Sequence, residues 1–242
     1  MLSIKELVIQ KDFYHLFQPI CHLPKRGILG YEALIRSKSN LNPDGIFQHA
    51  MEQNFLYDVD SLSIYQAIST YFASLEARES DELLFLNVFP STLVAASFPT
   101  FIHKIKEQFE GFCNRIVFEI NEVITEGTFW NSTSFLGMIA FLRDQGFKVA
   151  LDDVGEGATT FKKIIEISPD FIKVDKFFTK ELFRCKKKQK VIELFVEYCK
   201  GEIHLILEGI EHQDELTKIL SLGVTIGQGY LLGKPNLLFS DT

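Results

Sequence analysis

The chain has 242 residues, of which 46% are apolar and 24% charged, with a formal net charge of −7. This is the make-up of a globular protein of one large or two small domains, and its acidity excludes a polyanion-binding groove. No segment approaches the roughly 20 apolar residues of a membrane span, and the first twelve residues lack the continuous apolar stretch of a signal peptide. The four cysteines, Cys21, Cys113, Cys185 and Cys199, are scattered and form no CxxC pair. Free thiols in a reducing compartment account for them, so the expected location is the cytoplasm. Phe is frequent, 23 copies against one Trp, which points to a core padded with rings.

In chain order, Phe13 to Leu23 reads as a first strand, with Pro19 restricting it to an edge or a bulge. Lys25-Arg26-Gly27 makes a turn, and Ile28 to Arg36 returns as a second strand. Asn42-Pro43-Asp44-Gly45 is turn chemistry, followed by a short helix over Ile46 to Asn54. Apolar residues at helical spacing predict one helix from Val59 to Leu75. A third strand spans Glu82 to Val88, and Pro90-Ser91 opens the next connection. A helix over Phe98 to Phe109 leads to a fourth strand, Arg115 to Asn121. Phe135 to Gln145 is a helix ended by Gly146.

Phe147 to Gly157, FKVALDDVGEG, is a fifth, buried strand that stops in two adjacent acids. Neighbouring side chains on a strand point apart unless the backbone turns, and Gly155 and Gly157 are the residues able to supply that turn. Taken alone, Asp152-Asp153 fits a solvated loop as well as a site.

A short helix over Thr160 to Ile167 and a turn at Pro169-Asp170 precede the sixth strand, Phe171 to Asp175. The basic run Lys186 to Lys190 marks an exposed helix start, and Val191 to Lys200 is a helix. Ile203 to Glu208 is the seventh strand, Gln213 to Leu222 a helix, and Val224 to Gln228 the eighth strand.

Strands alternate with helices, without an internal repeat or a linker-like stretch, and this predicts an α/β protein with a largely parallel sheet. Eight strands in this length favour a closed barrel in one domain over residues 1–242. The first two strands are joined too tightly for a crossover helix, so the barrel should begin with an antiparallel strand.

Polar residues recur at the strand ends: Glu32 in the second strand, Asn87, Glu119, the Asp152-Asp153 pair, Lys173 with Asp175, Glu208 and Gln228. In a barrel such ends meet on one face. Glu32, Glu119, Asp152, Asp153 and Glu208 with one lysine could not all stay ionised without compensation. Their oxygen donors suit Mg²⁺ or Mn²⁺ and disfavour zinc. The alternative is a solvated polar rim that binds no metal.

Together these segments resemble the EAL-domain cyclic-di-GMP phosphodiesterases. The resemblance is carried by Glu32-Ala33-Leu34 with Arg36, by Asn87, and by Glu119-Ile120-Asn121-Glu122. It continues through Ala150 to Gly157, Lys173-Val174-Asp175, Glu208-Gly209-Ile210-Glu211 and Gly227-Gln228-Gly229, and runs from about Phe13 to Pro235. It implies an irregular TIM (β/α)8 barrel that hydrolyses cyclic di-GMP to linear pGpG with two divalent cations, Mg²⁺ or Mn²⁺.

By the same resemblance, Glu32, Asn87, Glu119 and Asp152 would hold the first cation. Asp152 and Asp153 would hold the second, with Glu208 in support. Lys173 would position the attacking water, and Gln228 would orient the site. Arg36 would contact phosphate, Gln18 a guanine, and Leu34 belongs to the signature beside the substrate. For Gln18 and Arg36 a packing or surface role stays open. Glu122, Glu156 and Glu211 fall in loops expected to support the site or a homodimer.

The loop after Asp153 departs from the family's usual DDFGTGYSS: Val154, Glu156 and Ala158 stand where Phe, Thr and Tyr are usual. Asn121 likewise replaces a Thr, and Phe89 a small Ser. These changes leave a second reading, a weakly active or inactive module that serves as a cyclic-di-GMP receptor or a protein-binding regulator.

Overall fold

The computed structural model describes residues 13–25, 27–39, 41–120, 127–130, 132–155 and 161–238. Eight strands close into a barrel in sequence order. They are β1 (Phe13–His22), β2 (Gly27–Ser37), β3 (Leu83–Val88), β4 (Ile116–Ile120), β5 (Lys148–Val154), β6 (Phe171–Val174), β7 (His204–Leu207) and β8 (Ile226–Gln228). β1 runs antiparallel to both β2 and β8, and every other neighbouring pair is parallel. The expected α/β barrel with an irregular start is therefore observed. A turn of a few residues between β1 and β2 cannot hold a crossover helix and so imposes the reversal.

The parallel strands are apolar on both faces because both are covered. Outward residues such as Leu84, Phe118, Leu151 and Ile172 pack beneath the helices in one continuous core. Inward residues form a second cluster that plugs the barrel: Ile20, Phe85, Val117, Ala150, Phe171, Ile206 and Ile226, joined by Leu83. Phe85 and Phe171 meet edge to face in this plug, with ring centroids 5.1 Å apart. A barrel of this size is filled by side chains and leaves no pore.

Three local expectations are corrected. Asn42-Pro43-Asp44-Gly45 is the start of a helix (Pro43–Glu52) and not a turn before one. The Asn42 side chain accepts from the Gly45 N–H at 2.7 Å, with Pro43 in the first turn; Asn before Pro is favourable at a helix start for the same reasons that it favours turns. The helix predicted over Val59 to Leu75 is two, Leu56–Tyr71 and Leu75–Glu79. The break falls where Phe72 turns into the core and Ser74 caps the second helix through the Ala77 N–H. The turn at the acid pair is made first by Asp153, whose φ is +50°, and then by Gly155 at +105°. Gly157 lies outside the described residues.

Gly155 also has no room for a side chain, since a Cβ there would sit 2.4 Å from the Phe178 ring. Gly155→Ala should therefore destabilise the fold by more than about 1 kcal/mol, from backbone strain and the clash together. The urea unfolding midpoint measures this, and an unchanged midpoint would mean the turn is not built this way.

Candidate active site

The site is the tier of side chains directly above the barrel plug. Strand side chains that share a face recur every two residues. Two residues beyond Phe85, Val117, Ala150, Phe171, Ile206 and Ile226 stand Asn87, Glu119, Asp152, Lys173, Glu208 and Gln228. Glu32 joins them from β2, where it pairs with Gln18 on one side and Phe85 on the other. The apolar plug thus sets the depth at which the acids lie.

Lys173 is the centre of this tier. It is 1% exposed, and its Nζ lies 3.2 Å from Glu32, 3.1 Å from Glu119, 3.2 Å from Asp152 and 2.8 Å from Glu208. Gln228 Nε2 donates to Glu32 Oε2 at 2.7 Å and Asn87 Nδ2 to Glu32 Oε1 at 3.1 Å. Glu119 is fully buried; among the described residues its Oε1, like Asp152 Oδ1, meets no donor besides the Lys173 ammonium, and its Oε2 meets none at all.

Burial raises Glu208 to about 8 and Asp152 to about 6, against the pull of Lys173 and with neighbouring acids adding to the rise. Glu119 is pushed well above the carboxylate range, first by burial and then by the other acids. Burial also opposes ionised Glu32, but Lys173, Gln228 and Asn87 outweigh it and hold this carboxyl below its usual range. The same acids keep Lys173 raised despite its burial.

Asp153 reaches the site by a different route. Its parity would turn it away from Asp152, but its left-handed backbone and a slip in the β5–β6 register between Leu151 and Val154 bring it round. Carboxylate oxygens of Asp152, Asp153 and Glu208 all come within 4.8 Å of one another.

A cavity of about 570 Å³ opens from this cluster, with Leu34 and Arg36 in its wall. Arg36 Nη1 is engaged with its neighbour's carbonyl, Ile35 O, at 2.8 Å. Gln18 is buried beside Glu32 and donates to Gly233 O at 3.2 Å. Glu211 is exposed, while Glu122 and Glu156 lie outside the described residues.

Two acids missed in the sequence hold the loops of this face. Glu215, 3% exposed, accepts the N–H groups of Glu211, His212 and Glu181 at 3.1, 3.1 and 3.3 Å. It therefore braces the loop after β7, which carries Glu211. A glutamate three residues into a helix is the legible signal for such a clasp. Asp60, 1% exposed, accepts the Phe89 N–H at 3.0 Å and fixes the loop after β3. Nothing in its helical sequence context marks it.

The family described as "EAL domain" matches residues 2–235. The chain is 30% identical over 235 residues to the "Probable cyclic di-GMP phosphodiesterase PdeI" of Escherichia coli, covering 93% of this chain and 29% of that protein. It is 27% identical over 229 residues to the "Cyclic di-GMP phosphodiesterase RocR" of Pseudomonas aeruginosa, covering 93% of this chain and 57% of the relative. The chain thus spans well under two thirds of these relatives. Among solved structures, Klebsiella pneumoniae BlrP1 in a manganese and cyclic-di-GMP complex superposes with a TM-score of 0.82 at 24% identity, over 93% of this chain and 56% of the other. The Xanthomonas citri FimX EAL domain, bound to cyclic di-GMP, superposes at 0.84 with 18% identity, over 99% and 94%.

The raised acids set a pH dependence. Between 4.5 and about 8, folded Glu208 keeps a proton that the unfolded chain has released, so this group costs stability as pH rises through that window. In EDTA, Glu208→Gln should match wild type near pH 4.5 and exceed it progressively toward pH 8. Urea midpoints for both proteins across that range are the measurement, and a constant difference would remove the raised carboxyl from the account.

Proposed function

Because the chain belongs to the EAL-domain family, we propose that it is a metal-dependent phosphodiesterase that hydrolyses cyclic di-GMP to linear pGpG, as one barrel domain over residues 1–242. The observation that carries this reading is the excess of buried acid: four carboxylates share the Lys173 ammonium, and among the described residues Glu119 Oε2 has neither an ion pair nor a hydrogen bond. A buried charge left this short of compensation is costly, and cations resolve it. The names borne by PdeI and RocR support the substrate, and the manganese in the BlrP1 complex supports the metal.

The donor set fits two Mg²⁺ or Mn²⁺ ions. Glu32, Asn87, Glu119 and Asp152 would hold one. Asp152 and Asp153 would hold the other with Glu208 beside them, a set favoured by the approach of their three carboxylates. Bound there, such ions polarise a phosphoryl oxygen and acidify water.

The chain's own residues do the rest. Lys173 holds the attacking water and offsets phosphate charge. Gln228 keeps Glu32 oriented through its 2.7 Å hydrogen bond. Arg36 receives a phosphate once it leaves the Ile35 carbonyl, Leu34 packs beside the substrate, and Gln18 meets a guanine. Glu122, Glu156 and Glu211 belong to the loops that support the site. The water's hydroxyl adds to phosphorus, the bond to the 3′ oxygen breaks, and that oxygen takes the remaining proton.

A homodimer completes the reading. Phe161, Ile165, Leu194 and Tyr198 are 45%, 64%, 53% and 38% exposed on the helices Phe161–Ile167 and Lys186–Cys199. Phe161 packs on Phe195 and Tyr198, which joins the two helices into one apolar face fit for a second copy. This face adjoins the end of β5, so pairing would brace the Asp153 turn.

Incubation with cyclic di-GMP and Mn²⁺ should yield pGpG on chromatography, with loss of turnover in EDTA and a drop of at least about 100-fold in Asp152→Asn. Tight binding without product in either metal would favour the receptor reading, and wild-type turnover in Asp152→Asn would remove the metal assignment. Leu194→Glu should halve the mass measured by light scattering while leaving the far-ultraviolet circular dichroism unchanged; a monomeric wild type would overturn the dimer.

A further inference from the structure

The net charge of −7 conceals one segment of the opposite sign. Residues 176–190, which follow β6 and open the helix Lys186–Cys199, hold seven Lys or Arg and a single acid, Glu181. That is +6 in fifteen residues, against −13 on the rest of the chain. Elsewhere, exposed lysines such as Lys162 and Lys200 pair with Glu166 and Glu197. Lys180, Lys186, Lys187 and Lys190 are exposed, and among the described residues none of them pairs with a carboxylate.

The fold does not account for these charges. Cations at the start of a helix oppose its dipole, and this helix has no acid in its first turn and no side-chain cap. Lys188 and Gln189 tie the helix start to the segment before it. Lys188 Nζ donates to Phe177 O and to Lys180 O, the latter at 2.7 Å, and Gln189 Nε2 donates to Leu182 O at 2.8 Å. One continuous surface results, and it carries rings. Phe177 is 60% exposed, backed edge to face by Phe178 at 5.2 Å, with the Lys188 ammonium 4.2 Å from its centroid. Phe183 is exposed as well, with the Arg184 guanidinium 5.0 Å from its centroid. It also borders a hollow lined by Asp214 and Lys218, where the charge becomes mixed.

We propose that this surface docks on a bilayer containing anionic lipid, with the cations on the headgroups and Phe177 in the interface. The argument is charge complementarity joined to an exposed ring. Clusters of about four to eight Lys or Arg bind anionic headgroups, and aromatic rings among them enter the boundary between headgroup and acyl chain. A second copy of the chain is not the occupant, because a two-fold interface would set this charge against itself. A nucleic acid fits less well, since bases stack on open ring faces and a cation already covers one face of Phe177 and of Phe183. The segment follows β6 and so lies at the same end of the barrel as the acid cluster, with Lys176 in the cavity wall. Docking would set the cavity mouth beside the bilayer. It does not rest on the phosphodiesterase reading.

Co-sedimentation with vesicles of phosphatidylcholine, alone or with about 30% phosphatidylglycerol, at about 0.1 M salt, tests it. Wild type should sediment with the mixed vesicles and stay in solution with phosphatidylcholine alone. Lys186→Glu combined with Lys187→Glu should weaken the binding at least about tenfold, since each lysine at the surface contributes about fivefold. This variant keeps its fold, because acids at a helix start agree with the dipole. Phe177→Ser, which keeps every charge, should weaken the binding several-fold while leaving its salt dependence unchanged. Unchanged binding in the double variant, or equal binding of wild type to both kinds of vesicle, would overturn the proposal. Unchanged binding in Phe177→Ser would overturn the insertion of the ring. A wild type that ignores vesicles yet retards a single-stranded oligonucleotide would overturn it in favour of a nucleic acid. A KM for cyclic di-GMP that rises in the double variant, without vesicle binding by wild type, would overturn it in favour of substrate steering.

Discussion

One ammonium among four buried carboxylates is the constraint on which this face of the molecule depends. Lys173 is itself almost wholly buried and touches an acid from β2, β4, β5 and the end of β7. Removing it would leave the acids facing one another in a medium that screens charge poorly. Keeping it leaves them still short of positive charge, which is why Asp152, Glu119 and Glu208 are pushed toward their protonated forms while Glu32 is not. The arrangement is a poor way to gain stability and a good way to attract cations.

The tier is positioned by the layer beneath it. The interior of the barrel is filled by large side chains, and strand periodicity then dictates what stands two residues further on. Phe171 and Lys173, or Ile206 and Glu208, are successive steps on one inward face. A substitution in the plug that shifted a strand would move the whole tier, although it touched no polar atom. Asp153 lies outside this scheme. It reaches the cluster only through a left-handed backbone and a register slip, both unfavourable for a non-glycine residue in a strand. Strain of this kind persists where the surroundings impose it.

Much of this was legible in the sequence. Strand ends are polar in a chain whose strands are otherwise apolar, so Glu32, Asn87, Glu119, Asp152, Lys173, Glu208 and Gln228 announce themselves. The antiparallel start follows from the shortness of one turn. What escaped notice depends on contacts distant in sequence. Asp60 binds a backbone group 29 residues away and Glu215 one 34 away. The facing of Phe47 and Phe89 joins the helix after β2 to the loop after β3, which no local pattern encodes. The misplaced helix boundaries have a different cause: Asn-Pro and Phe72-to-Ser74 carry signals common to turns and caps, and tertiary packing decides between them.

Two parts of the cavity wall are held by different means, and this bears on how the site would respond to change. The Phe89 part hangs on the buried Asp60 carboxylate of the helix Leu56–Tyr71, which also supplies Ser63, Ile64 and Ala67 to the cavity. That part is anchored in the main core. The Asp153 part depends on a turn wedged against Phe178, next to a hollow of about 400 Å³ lined by Val154, Phe161 and Leu194. Val154 is buried there with less bulk than the Phe usual at its position. An under-filled hollow costs packing contacts and leaves its lining free to shift. Disturbances on the surface around Phe161 and Leu194 would therefore reach Asp153 before they reached Asp152, Glu119 or Lys173, which belong to the rigid tier. The Asp153 turn is therefore the part of the acid cluster most open to influence from the surface.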